Sequence, residues 1–101
     1  MVNQAEIKQA YYDIYSALRN YIWPYNIVEG IAELEISAMQ TCPNIPQIRG
    51  NLYGLKSALL DTIESDEQLS KAFDNFNDVL SADDYYVKLN AVNEVVADEN
   101  N

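Results

Sequence analysis

Ser65-Asp66-Glu67-Gln68-Leu69-Ser70-Lys71-Ala72-Phe73-Asp74-Asn75-Phe76-Asn77-Asp78-Val79-Leu80 is the stretch whose reading decides the fold. Its large apolar residues Leu69, Phe73, Phe76 and Leu80 stand at offsets 0, 4, 7 and 11. That spacing lines one stripe of an α-helix, whereas a strand would alternate. Ser65 and Gln68 form a capping box in front of it: the hydroxyl can accept from the Gln68 N–H while the Gln68 side chain reaches back. The pattern predicts a helix over about 66–80.

Working outward, the same stripe recurs on both sides. Upstream, Ile48, Leu52, Leu55, Leu59 and Ile63 predict a helix over 46–64, with Pro46 suited to its first turn. Gly50, Gly54 and Ser57 share a neighbouring face there, and each glycine costs a helix about 1 kcal/mol relative to alanine. A second helix backbone packed closely against that face is the expected compensation, with a local bend as the alternative. The prolines and asparagine of Thr41-Cys42-Pro43-Asn44-Ile45-Pro46 make a loop. Before it, Ile27, Ile31, Leu34 and Ala38 predict a helix over 25–40, with Glu29 and Glu33 on its outer side. Ile7, Tyr11, Ile14, Leu18 and Ile22 predict the first helix over 3–23, ended by Pro24.

Downstream, Ser81-Ala82-Asp83-Asp84 offers a second cap, followed by the stripe Tyr85, Leu89, Val92 and Val96 over 83–97. Residues 98–101 carry no apolar side chain and are expected to fray. The segments 73–80 and 89–96 resemble each other at a shift of 16 residues, a likeness that two amphipathic helices of equal length readily produce. The expected fold is therefore all-α: a single small domain over 1–97, a four- or five-helix bundle with mostly antiparallel neighbours.

Composition limits the chemistry. The 101 residues hold one cysteine, Cys42, and no histidine, so Ser-His-Asp and Cys-His catalysis and Cys/His zinc sites fall away. No internal disulfide can form, and a reducing, cytoplasmic setting is expected. No signal peptide or membrane span is visible in the apolar pattern. Asp74-Asn75-Phe76-Asn77-Asp78 is not a calcium loop, because Phe76 stands at a ligand position and no glycine follows Asp78. No acid lies on an apolar stripe where burial would tune it for catalysis. The reading is non-enzymatic, with no cofactor and no metal.

The formal net charge is −10, and it is unevenly placed. Residues 1–60 carry a net of −1 and residues 61–101 a net of −9. Acids at helix starts, such as Asp66, Glu67, Asp83 and Asp84, complement the positive end of the helix dipole. Asp74, Asp78, Glu94 and Asp98 do not have that purpose, and like charges one turn apart repel slightly. They are the candidate acidic partner-binding residues. Direct capture of nucleic acid or an anionic membrane is not expected of such a chain. The expected partner is a basic protein surface, such as that of a nucleic-acid-binding protein.

Tyrosine supplies the second candidate surface. Tyr12 and Tyr15 lie off the main stripe of the first segment, and Tyr21, Trp23 and Tyr25 cluster at its end. Tyr and Trp bury much area at low entropic cost and favour interfaces. In size and charge sign the chain is similar to phage anti-restriction and anti-CRISPR inhibitors, which cover Lys/Arg grooves with carboxylates; it shares no motif with them. The expected function is a phage or mobile-element inhibitor of that DNA-mimic kind. The alternatives are a virion, connector or assembly subunit that self-associates through its tyrosine faces, and an immunity protein for a toxin.

Overall fold

The computed structural model describes residues 3–82, and these are helical except for short connections, with no strand among them. Helix α1 spans Gln4–Leu18, α2 Tyr25–Ala38, α3 Ile45–Ala58 and α4 Leu60–Ser65. A fifth helix, α5, covers 67–82, up to the last described position. The expected helix 83–97 and the tail 98–101 lie outside the described residues.

Asn3 starts α1 by accepting from the Ala5 N–H at 2.7 Å. Ile7, Tyr11, Ile14 and Leu18 are buried as the stripe requires. The helix stops at Leu18, five residues before the expected Trp23. The reason is local. In a longer helix the Leu18 carbonyl would accept from the Ile22 N–H. Instead it accepts from the Trp23 indole N–H at 2.9 Å and from the Tyr21 N–H at 3.1 Å. Ile22, expected in the core, is thrown fully into solvent at 101% exposure.

The expected helix 46–64 is two helices. Asn44 caps α3 through the Gln47 N–H at 3.2 Å, and Pro46 occupies its first turn. At Leu59 the backbone turns to φ −109° and ψ 15°, and its N–H is shared between the Leu55 and Lys56 carbonyls. Such three-centre bonding closes a helix end. Only one residue leaves the helical path, so Ile48, Leu52, Leu55, Leu59 and Ile63 all stay buried.

The cap of α5 is also displaced by one residue. Ser65 ends α4 and its hydroxyl donates back to the Asp61 and Thr62 carbonyls. Asp66 does the capping, accepting from the Leu69 N–H at 3.1 Å. Leu69, Phe73, Phe76 and Leu80 are buried, as expected. Ser81 and Ala82 continue the helix, so the fresh start expected at Ser81 falls inside α5.

Cross-links fix the arrangement. Tyr11 of α1 bonds Glu35 of α2, and Gln4 bonds the carbonyl of Gln40 just past α2, so α1 and α2 are antiparallel. Asn51 of α3 donates to the Glu33 carbonyl at 3.3 Å and the Ser37 hydroxyl at 3.1 Å, and Gly30 faces Leu55, giving α2 and α3 the same relation. Arg49 at the start of α3 donates to the Leu80 carbonyl at 2.9 Å, near the described end of α5. Tyr21 beyond α1 donates to Asp66 ahead of α5. Helices α1, α2, α3 and α5 thus form a ring of antiparallel neighbours around one core, with α2 and α5 at opposite corners. The close approach expected at Gly50 and Gly54 is absent: a Cβ built at either meets nothing within 4 Å. Only Gly30 faces a neighbour, Leu55 at 3.5 Å.

Asp66 tests this junction. Its bond from Tyr21 and its capping bond from Leu69 hold the carboxyl below the ordinary aspartate range. A depressed folded pKa adds stability at neutral pH, and that contribution is lost as pH falls through it. Asp66→Ala is expected to lower the melting temperature by a few degrees at neutral pH. The difference from the parent shrinks in strong acid, and melts followed by circular dichroism at the two pH values check it.

Candidate protein-binding faces

The structure scatters the aromatic residues singled out in the sequence. On α1, Tyr12 and Tyr15 are exposed and gather around buried Tyr11, with ring centroids 5.7 Å and 6.1 Å away. The Arg19 guanidinium lies over Tyr15 at 5.9 Å. Tyr11 itself is structural: its hydroxyl donates to Glu35 at 3.2 Å. Burial, with the Glu35 carboxylate beside it, pushes that hydroxyl above the ordinary tyrosine range. Tyr21 and Trp23 pack at 5.1 Å; the Trp23 indole donates to the Leu18 carbonyl and the Tyr21 hydroxyl to Asp66 ahead of α5. They are lock residues of the 19–24 connection. Tyr25, on the first turn of α2, is the most exposed of that cluster.

The acidic candidates divide as well. Asp74 and Asp78 are exposed one turn apart on α5, and neither forms an ion pair among the described residues. On the same stripe Glu67 and Lys71 pair at 3.0 Å in full solvent, which contributes little. This outer face of α5 is polar throughout. Glu94 and Asp98 lie outside the described residues.

A face that the sequence reading passed over stands on α2. Tyr25, Val28, Ala32 and Ile36 lie at offsets 0, 3, 7 and 11 and all face solvent. Tyr25 is 80%, Val28 49% and Ile36 64% exposed. Glu29 and Glu33 are exposed among them, without an ion pair among the described residues. The opposite side of α2 carries the expected core stripe, with Ile27, Leu34 and Ala38 buried and Ile31 half-buried. α2 thus carries an exposed apolar stripe beside the one it buries. The signal was present in the sequence as a second stripe, hidden because the first already satisfied the bundle.

No three potential metal ligands gather among the described residues, and none of their helices is long and apolar enough to cross a membrane. What α2 presents is exposed apolar area flanked by the Glu29 and Glu33 carboxylates. Comparison with protein-family models, with curated proteins and with solved structures found no significant match to this chain.

Proposed function

We propose that the chain is a non-enzymatic protein-binding module whose α2 face takes up a basic, amphipathic helix of another protein. One observation carries this reading: Tyr25, Val28 and Ile36 are exposed at helical spacing with Glu29 and Glu33 between them. Fully burying such an aliphatic side chain gains roughly 1.5–3 kcal/mol, so a few anchors can support a helix-in-groove contact. The carboxylates then set sign and speed, drawing in Lys/Arg-rimmed helices and repelling acidic ones. A second copy of the chain is disfavoured at this face. A two-fold contact sets the same patch on both sides and would bring Glu29 and Glu33 against their own kind.

Asp74 and Asp78 favour a second reading, inhibition by imitation of a phosphate row. They are carboxylates without an ion pair among the described residues, one turn apart on a helix, and suit a Lys/Arg surface built for nucleic acid. Their face lacks apolar anchors, so α2 ranks first. Selection from a displayed library of helical peptides distinguishes the two. The first reading expects Lys/Arg-flanked apolar stripes to be enriched, and their binding to be lost in Val28→Asp/Ile36→Asp but kept in Asp74→Lys/Asp78→Lys. The opposite pattern favours phosphate imitation, and enrichment of acidic peptides contradicts both.

A further inference from the structure

The tyrosines of α1 and the exposed stripe of α2 meet along one seam. Tyr11 of α1 donates to Glu35 of α2, and Gln4 bonds the Gln40 carbonyl. In this antiparallel register Lys8 stands level with the Ile36 end of α2 and Arg19 level with its Tyr25 end. A helix turns about 100° per residue, which gathers Tyr15, Lys8, Arg19 and Tyr12 within about 60° on α1, next to the Tyr11 edge that meets α2. Both tyrosines and Arg19 are exposed, and Lys8 is half-buried. Neither cation joins an ion pair among the described residues; Arg19 lies over the Tyr15 ring at 5.9 Å. The acids of α1, Glu6 and Asp13, fall on its opposite edge, where Asp13 lines the cleft towards α5.

Across α2 the same turn runs from Glu35, at the seam, through Val28, Ala32 and Ile36 to Glu29 and Glu33. Along the chain the last two alternate with the apolar anchors. Across the helix they lie towards α3, where Asn51 donates to the Glu33 carbonyl. The apolar strip is therefore edged by Lys8 and Arg19 on one side and by Glu29 and Glu33 on the other. Glu35 is the carboxylate on the α1 side, outnumbered by the two cations and accepting the Tyr11 hydroxyl at 3.2 Å.

On the reading of α2 as the binding face, on which this rests, we infer that the bound helix lies along the α1–α2 seam in one fixed direction. Its basic side chains stand over Glu29 and Glu33, and acidic ones stand over Lys8 and Arg19. An amphipathic helix carries its apolar stripe between two edges, and turning it end for end on a face exchanges them. A helix with bases on one edge and acids on the other therefore satisfies all four charges in one direction only. Reversed, it sets cation against cation and carboxylate against carboxylate, which repulsion disfavours. Tyr12 and Tyr15 widen the area available for burial on the α1 side.

Two designed helical peptides test this on the full isotope-labelled chain by paramagnetic broadening. Each has one leucine stripe and a nitroxide at its N-terminus. The first has Lys along one edge and Glu along the other; in its twin the two edges are exchanged. One peptide is expected to broaden the Tyr25 end of α2 and its twin the Ile36 end, with roughly a tenfold excess of that direction at low salt, since each exposed charge pair contributes modestly. Lys8→Glu/Arg19→Glu/Glu29→Lys/Glu33→Lys should swap the two results. Broadening of the same end by both peptides, or of both ends equally by each, overturns the fixed direction and leaves α2 as the binding face. Broadening that misses α2 altogether overturns the binding face itself, and the direction with it.

Discussion

Phe76→Ala is expected to lower the unfolding free energy by about 3–5 kcal/mol. Against a total of roughly 5–15 kcal/mol for a small domain, that leaves the variant near the edge of folding. Phe76 is fully buried in the stripe that α5 presents to the other helices, together with Phe73, Leu69 and Leu80. Its removal leaves a void that α1, α2 and α3, held by their own cross-links, cannot close. Urea unfolding followed by circular dichroism reads the loss. Ile22→Ala is the matching control. The apolar spacing alone places Ile22 in the core, whereas its exposure makes the substitution neutral to within about 0.5 kcal/mol.

The second large effect is on association. Glu29→Lys/Glu33→Lys is expected to slow capture of a basic helical partner by about 10- to 1,000-fold at low salt. The effect should fade as salt screens the surface, because both side chains face solvent. The fold should be unchanged, since neither carboxylate joins an ion pair among the described residues. Val28→Asp/Ile36→Asp should act differently, raising the dissociation rate at every salt concentration by removing the anchors. Stopped-flow association and surface-bound dissociation separate the two contributions.

Among the described residues the helices and most of their buried stripes, Ile22 excepted, were legible in the sequence, because 3.6-residue periodicity is local. Leu69, Phe73, Phe76 and Leu80 needed no knowledge of what they pack against. The ends of helices were less legible. Leu18 ends α1 because an indole five residues on takes its carbonyl, a competition that periodicity does not register. Ser65 and Asp66 are both good caps, and α4 decides between them by claiming Ser65 as its own last residue. Gly50 and Gly54 misled for a related reason: glycine permits close packing but does not compel it. The candidate site was legible only in part. The carboxylates were visible as charge, but Tyr25, Val28 and Ile36 became a surface only once α1 and α3 had been seen to cover the other side of α2. Tyr21 and Trp23 look like interface residues by type, and their hydrogen bonds to Asp66 and the Leu18 carbonyl are contacts that residue type does not reveal.

The central claim is that α2 presents the binding face, and backbone and methyl NMR of the isotope-labelled chain tests it most directly. A Lys-flanked amphipathic helical peptide from the selection is titrated in. The account predicts that the shifted signals are those of Tyr25, Val28, Ala32 and Ile36, with Glu29 and Glu33 between them, and that Tyr53, Asp74 and Asp78 stay in place. Shifts centred on Asp74 and Asp78, with α2 undisturbed, would contradict it.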